Sequence, residues 1–309
     1  MIADELTFRD TDGVDIFYRR WLPSGDACAV VVVAHGLSEH SGRYARFAGA
    51  LAAAGYAVYA PDHRGHGLTA GSTGAGRTGS GGIVGVIGDV RELIAIAERD
   101  LGPRPVVLFG HSMGALLAQA FAERHGDELS ALVLCGSGGV NEDLVDVVAG
   151  LQAAIDAGLA DEPIAMLGAL NAGFEPARTP FDWLSRDPSE VDVYVADPMC
   201  GDDAPPTYAF IAAVMQLTLD AMRAAAIAGI PTSLPVLLVT GERDVASAGG
   251  AQVRELEARM RAAGLDVHAR YYADARHELL NELNRDDVTA DIVGWLTGHL
   301  SSVARRGGA

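Results

Sequence analysis

Apolar runs and helical stripes alternate along the first part of this chain, stop between residues 141 and 230, and then resume. Residues 6–9 and 15–22 read as short extended segments around a Thr11-Asp12-Gly13 turn. Ile16 and Tyr18 alternate there with Phe17 and Arg19, as in a half-exposed antiparallel pair at a sheet edge. Residues 29–34, AVVVVA, are β-branched almost throughout, the composition of a strand buried on both faces. The spacing of Tyr44, Phe47, Ala48 and Leu51 predicts a helix over 43–54 that stops at Gly55, and 56–60 reads as the next strand. A glycine-rich stretch, 71–82, reads as a loose loop beside the strand ends; no Gly-Lys-Ser/Thr follows it, so it is no phosphate loop. Helix over 83–100, strand over 106–109, a further helix and strand 131–135 complete an order that implies an α/β fold. Its sheet is mostly parallel and flanked by helices on both faces.

Within 141–230 no parallel strand is evident. Leu144, Val148, Leu151 and Ile155 keep helical spacing, but Pro163, Pro176, Pro180, Pro188, Pro198, Pro205 and Pro206 break the pattern. Strand 236–240, helix 251–263, strand 268–272 and helix 287–300 then restore the alternation without a linker-like composition. The expected organisation is a core in two parts, 1–139 and 233–309, with a helical cap, 140–232, inserted over the strand ends. A roof over the strand ends would put apolar cap residues such as Phe174, Met199, Phe210 and Met215 along an acyl channel.

Composition narrows the partners. The formal net charge of −18 argues against nucleic acid and anionic membrane as electrostatic partners. All 23 basic residues are arginine, which excludes a catalytic lysine. Cys28, Cys135 and Cys200 are odd in number and lack metal spacing, as expected of reduced thiols. The acidic start, MIADELTFRD, has no apolar core of a signal peptide, and 204–219 is too short and proline-interrupted to span a bilayer. The expected setting is cytoplasmic, without metal or cofactor, and with at most transient lipid-surface contact through the cap.

The chemistry gathers at 105–121, PVVLFGHSMGALLAQAF. Gly110-His111-Ser112-Met113-Gly114 is a G-x-S-x-G pattern with a strand before it and a helix after it, the context of a nucleophile elbow. Ser112 needs a base, and the base needs an orienting acid. Strand 236–240 opens into Gly241-Glu242-Arg243-Asp244, and strand 267–272 into Ala273-Asp274-Ala275-Arg276-His277. Asp244 is preferred over Glu242 as the acid, and His277 is the base. His63 and His66 read as loop structure, His35 as a structural hydrogen-bonder and His299 as solvated. The oxyanion hole is expected from the backbone N–H of Met113 and of Leu37, in the loop after AVVVVA.

Over nearly its full length the chain resembles the monoacylglycerol lipase and lysophospholipase-like branch of the α/β-hydrolase superfamily. HGLSEHSGRY at 35–44, DHRGHG at 62–67, GHSMGA at 110–115, DWLSRDPSEVDVYVADPMC at 182–200 and HELLNE at 277–282 carry the likeness. The resemblance implies a Ser112, Asp244, His277 triad with Leu37 and Met113 as the hole, and places Glu39, Arg43 and Tyr194 near the glycerol end of the pocket. Three departures stand out: Ser38 replaces a usual glycine beside the oxyanion loop, Ala115 replaces the last glycine of GHSMGG, and Leu280 replaces a glycerol-binding histidine of the vertebrate lipases.

The expected function is a cofactor-free serine hydrolase of small esters with an apolar acyl chain, monoacylglycerols first and lysophospholipids or aromatic monoesters second. A proline-iminopeptidase-type aminopeptidase shares the elbow and fold, and a non-catalytic hydrolase-fold receptor is the reading from another class. Dehalogenase and epoxide-hydrolase chemistry would want an Asp where Ser112 stands.

Overall fold

The computed structural model describes residues 3–141, 143–174 and 176–306, the last six as backbone only. Eight strands form one sheet: β1 (Asp4–Arg9), β2 (Asp15–Trp21), β3 (Ala29–Ala34), β4 (Tyr56–Pro61), β5 (Val106–His111), β6 (Ala131–Cys135), β7 (Val236–Gly241) and β8 (Val267–Tyr272). Their order across the sheet is β1-β2-β4-β3-β5-β6-β7-β8. β1, β2 and β4 pair antiparallel, and every later pair is parallel. The helices are α1 (Ala45–Ala53), α2 (Ala70–Thr73), α3 (Gly82–Leu101), α4 (Met113–His125), α5 (Leu144–Ala154), α6 (Pro188–Ala196), α7 (Tyr208–Ala221), α8 (Ala224–Ile227), α9 (Ala251–Ala262) and α10 (Arg285–Arg306).

β3 shows why the sheet is sandwiched. With a side-chain period of two, Val30 and Val32 enter one apolar core while Val31 and Val33 enter the other. α1 and α10 cover the second face through Phe47, Leu51, Val288, Ile292 and Leu296. α3, α4, α7 and α9 supply the first, with Leu93, Leu117, Phe210, Ile211, Val253 and Leu256. The alternation predicted this mostly parallel, helix-flanked sheet, and its order is that of an α/β-hydrolase, as the resemblance implied.

Within residues 141–230 the packing is divided. α7 lies against α4 and α3, and α5 lies on α7 through Leu144 and Leu151 of its predicted stripe. Phe181, Trp183, Leu184, Val191, Tyr194 and Cys200 form a separate apolar cluster of their own.

In the glycine-rich stretch, 71–73 belong to α2, 74–81 are loop as read, and residue 82 opens α3. Gly67–Thr69 is a 3-10 turn that runs into α2. Thr69 Oγ1 accepts from the N–H of Phe17 at 2.9 Å and Thr73 Oγ1 from that of Gly65 at 2.9 Å. Gly76 O accepts from Thr207 Oγ1 at 2.8 Å. Hydrogen bonds between threonine hydroxyls and backbone groups, invisible to composition, hold this stretch and the turn before it.

Candidate active site

Ser112 stands between β5 and α4 with φ 54° and ψ −119°, a backbone state that costs a non-glycine residue on the order of 1–3 kcal/mol. Its N–H donates to Cys135 O at 3.0 Å, and its carbonyl accepts from Ala115 N–H at 2.9 Å. A Cβ on Gly110 would lie 2.2 Å from Gly114 O, and one on Gly114 would lie 2.1 Å from Ala34 O. The flanking glycines therefore let β5, β3 and the first turn of α4 close around the serine. The positive end of α4 points at that place.

His277 is 2 % exposed and Asp244 fully buried. His277 Nδ1 lies 3.0 Å from Asp244 Oδ1. A carboxylate accepts, so the imidazole proton sits on Nδ1 and Nε2 keeps the lone pair a base needs. Asp244 Oδ1 also accepts from Ala246 N–H at 2.9 Å, which fixes the carboxylate. Burial would lower the His277 pKa, but the charge and hydrogen bond of Asp244 outweigh it and hold it above the ordinary histidine value. Glu242, the rival acid, instead takes Arg254 at 2.6 Å at the surface. Gly241 makes the meeting of the two loops possible: a Cβ there would lie 2.2 Å from Ala275 O and 2.4 Å from Arg276 O.

Glu39 and Arg43 belong to a buried ionic network. Glu39 Oε1 accepts from Gly36 N–H at 2.6 Å and Tyr44 OH at 2.8 Å, and its Oε2 accepts from Arg43 at 2.7 Å. Arg43 also grips Glu278 with two bonds, at 2.5 and 2.8 Å. Burial opposes the Glu39 charge, but Arg43, His111, His35 and the Tyr44 hydroxyl outweigh it and hold its pKa at about 2. Tyr194 lies under the Arg43 guanidinium, 4.7 Å from ring centroid to carbon, and donates its hydroxyl to Ser38 O at 3.0 Å. Ser38 sits at φ 52°, which explains a family preference for glycine, and its Oγ is buried without a partner. His35 is a structural link, as read from sequence: Nε2 accepts from His63 N–H at 2.9 Å and Nδ1–H donates to Gly36 O at 2.7 Å.

One narrow pocket is lined by Leu37, Glu39, Ser112, Tyr194, His277 and Glu278, with Leu167, Trp183 and Leu184 contributed by the stretch 141–230. The structure thus brings together the expected nucleophile, base, loop and Tyr194, while Arg43 reaches the site through Glu39 and Glu278. The expected channel residues lie elsewhere. Phe210 packs on His66, with ring centroids 5.2 Å apart, Met215 on the main core and Phe174 beneath Arg276. α7 packs on α3 and α4 and spends the apolar side chains of Phe210 and Met215 there, so apolar character alone misassigned these two.

Trp183 and His111 are the residues that motif reasoning passed over. Their rings flank His277 at centroid distances of 4.9 Å each. Burial first, and the neighbouring His277 second, lower the His111 pKa to about 4, so it stays neutral beside the base. The available signal for Trp183 was its place in DWLSRD.

Sheet order, serine elbow and carboxylate–imidazole pair define an α/β-hydrolase, and the protein is a carboxylic ester hydrolase. The chain belongs to the hydrolase family described as serine aminopeptidase, S33, which matches residues 25–284. A monoacylglycerol lipase of Mycolicibacterium smegmatis is 34% identical over 298 residues, covering 96% of this chain and 98% of that protein. Human monoglyceride lipase is 30% identical over 190 residues, 62% of this chain and 58% of the human one. The solved structure of a thermostable carboxyl esterase from Bacillus coagulans in complex with glycerol superposes with a TM-score of 0.90 at 29% identity, covering 97% of this chain and 99% of that one. Among the described residues, no helix is long and apolar enough to cross a membrane.

Proposed function

We propose that this esterase hydrolyses monoacylglycerols, with Ser112 as nucleophile, His277 as general base and acid, and Asp244 as the group that orients it. The observation that carries the reading is the buried His277–Asp244 pair in one pocket with a serine held at positive φ. His277 Nε2 takes the Ser112 proton as Oγ attacks the ester carbonyl. The oxyanion is held by the backbone N–H groups of Leu37 and Met113. The alcohol leaves with the proton from His277, and water then attacks the acyl-enzyme by the same route.

The acylglycerol substrate rests on the full-length relative, which is a monoacylglycerol lipase, and on the esterase solved with glycerol. Glu39 and Tyr194 wall the end of the pocket that would take the glycerol, and Arg43 holds Glu39 and Glu278 in place. The aminopeptidase reading, which the family description keeps in view, needs an uncommitted carboxylate for a substrate ammonium. The carboxylates that line the pocket, Glu39 and Glu278, are both gripped by Arg43. We divide the chain into core 1–139 and 233–309 around a cap, 140–232. Val145, Val147 and Leu159 are 60%, 43% and 40% exposed and give the cap an apolar outer face suited to transient lipid contact. The unpaired Cys28, Cys135 and Cys200 suit a cytoplasmic setting.

The test is a hydrolysis panel of monoacylglycerols of graded chain length, a lysophospholipid and a proline anilide. Monoacylglycerols should lead, and a leading anilide would overturn the substrate. Ser112→Ala should remove activity by several orders of magnitude and leave the fold intact. Asp244→Asn should lose about 10⁴-fold while Glu242→Gln changes little; the reverse order would make Glu242 the acid.

A further inference from the structure

The polar end of the pocket holds more negative charge than positive. Glu39 and Glu278 line it, 3% and 5% exposed. Arg43 faces both, meeting Oε2 of Glu39 at 2.7 Å and the two carboxylate oxygens of Glu278 at 2.5 and 2.8 Å. Burial opposes the charge on each carboxyl, but Arg43 leads the groups that outweigh it. Glu39 is held at about 2, and Glu278 below the usual carboxylate range. Both are ionised at neutral pH, so one guanidinium answers two carboxylates.

No other cation makes up the difference. The described residues that line the pocket include no arginine, and the chain has no lysine. Arg46 borders the adjoining recess, but Glu190 takes it with two bonds, at 2.7 and 2.9 Å. The His277–Asp244 pair carries no net positive charge in either protonation state of the imidazole. The net charge of −18 on the whole chain has the same sign.

Hydrogen-bonding capacity points the same way. A carboxylate offers about four acceptor positions. Glu39 accepts from Gly36 N–H, the Tyr44 hydroxyl and Arg43. Glu278 accepts twice from Arg43 and once from Asn281 Nδ2, at 3.0 Å. Each keeps room for one more donor. The Tyr194 hydroxyl spends its proton on Ser38 O. This end of the pocket suits a group that donates, such as a hydroxyl, and repels a group that carries negative charge.

We propose that Glu278, with Glu39, restricts the substrate to esters of uncharged, hydroxyl-bearing alcohols and rejects those whose alcohol carries phosphate or carboxylate, a selection that rests on the acylglycerol reading of the site. Glu278 is fixed in place to do this. Arg43 and Asn281 hold its side chain, and its N–H donates to Leu184 O at 2.8 Å. A buried carboxylate that cannot turn away makes a like-charge contact that excludes the wrong ligand.

The test compares three esters of one acid on the full chain, each below its micelle concentration. They are 1-hexanoylglycerol, its 3-phosphate, and the uncharged dimethyl ester of that phosphate. kcat/KM should be about a hundredfold lower for the phosphate than for the glycerol ester, with the dimethyl ester much nearer the latter. Glu278→Gln keeps the size and an acceptor for Arg43 but removes one charge. It should raise the ratio of phosphate to glycerol ester by about tenfold, and Glu39→Gln should do the same if the first variant does not fold. The ratio reads charge alone, whereas failure of the acylglycerol reading shows separately, as a proline anilide outpacing every acylglycerol. A phosphate ester cleaved within about threefold of the glycerol ester overturns the proposal. So does equal slowness of the charged and uncharged phosphates, or a ratio that neither variant moves.

Discussion

The two halves of the stretch 141–230 are held in different ways. Residues 178–203 are joined to the loop of His277. Glu278 N–H donates to Leu184 O at 2.8 Å, Ser185 Oγ to Asn281 O at 2.8 Å, and Arg276 to the carbonyls of Asp182 and Ser185. Buried Glu282 accepts from the N–H of Arg276 at 2.7 Å and of Arg186 at 3.2 Å, and from Arg186 Nε at 2.8 Å. Tyr194 OH and Gly201 N–H both reach Ser38 O, at 3.0 and 2.9 Å, so the same half also holds the oxyanion loop. Residues 144–164 make their ties to α7 and the segment before it, as in Ile164 N–H to Pro206 O at 2.8 Å and Ala209 N–H to Ala160 O at 3.0 Å, and Asp161 pairs with Arg77 of the glycine-rich stretch. They also carry exposed Val145, Val147 and Leu159. The first arrangement makes the rear half an arm of the catalytic loops, and the second holds the front half without a tie to the loop of His277.

The largest expected effect breaks the joined half. Glu282→Ala leaves the backbone N–H groups of Arg276 and Arg186 and the Arg186 guanidinium without their acceptor. It should destabilise the fold by about 3 kcal/mol and lower kcat more than it raises KM, read by denaturant melts and steady-state kinetics. An unchanged kcat would mean that the rear half does not position His277.

Next comes the front half. Replacing Val145, Val147 and Leu159 together with serine should leave hydrolysis of a water-soluble short ester near wild type and reduce turnover on vesicle-borne monoacylglycerol by about tenfold. Equal losses on both substrates would assign these residues a packing role. Hydrogen exchange sharpens the same contrast: amides of α5 should exchange well before those of 190–196.

Ser38 lies where the rear half meets the oxyanion loop. Ser38→Gly relieves both its positive φ and its unpartnered hydroxyl, and should raise stability by about 1 kcal/mol in a denaturant melt. A loss of stability would show that the hydroxyl has a partner.

The smallest effect concerns Trp183, the ring that the rear half lays on His277. His277 must be neutral to act, and its pKa is raised, so kcat/KM should fall on the acid side at a pH above the ordinary histidine value. An aromatic face favours imidazolium. Trp183→Leu keeps the burial and removes that face, so the acid limb should move down by about half a pH unit. A limb that moves up would show that the ring acts only by desolvation.

Much of the molecule is legible in the residue order, because it rests on local physics. A β-branched run such as AVVVVA reads as a strand with both faces covered, glycines around Ser112 between a strand and a helix mark a turn too tight for Cβ atoms, and the Asp244 and His277 loops follow recognisable strands. Contacts between distant segments are not written in that way. Phe210 and Met215 are apolar helical residues whether they face the sheet or the pocket, and only packing on α3 and α4 assigned them to the core. The tautomer of His299 depends on a carbonyl four residues away and on a strand thirty-one residues back, so a residue read as solvated became half of a paired imidazole. Trp183 became a wall of the catalytic histidine because Glu282 and Arg276 draw its segment against the His277 loop. Periodicity and turn chemistry settle what each segment is. Which segments meet depends on long-range hydrogen bonds and the shared burial of apolar surface, and these exist only once the chain has closed on itself.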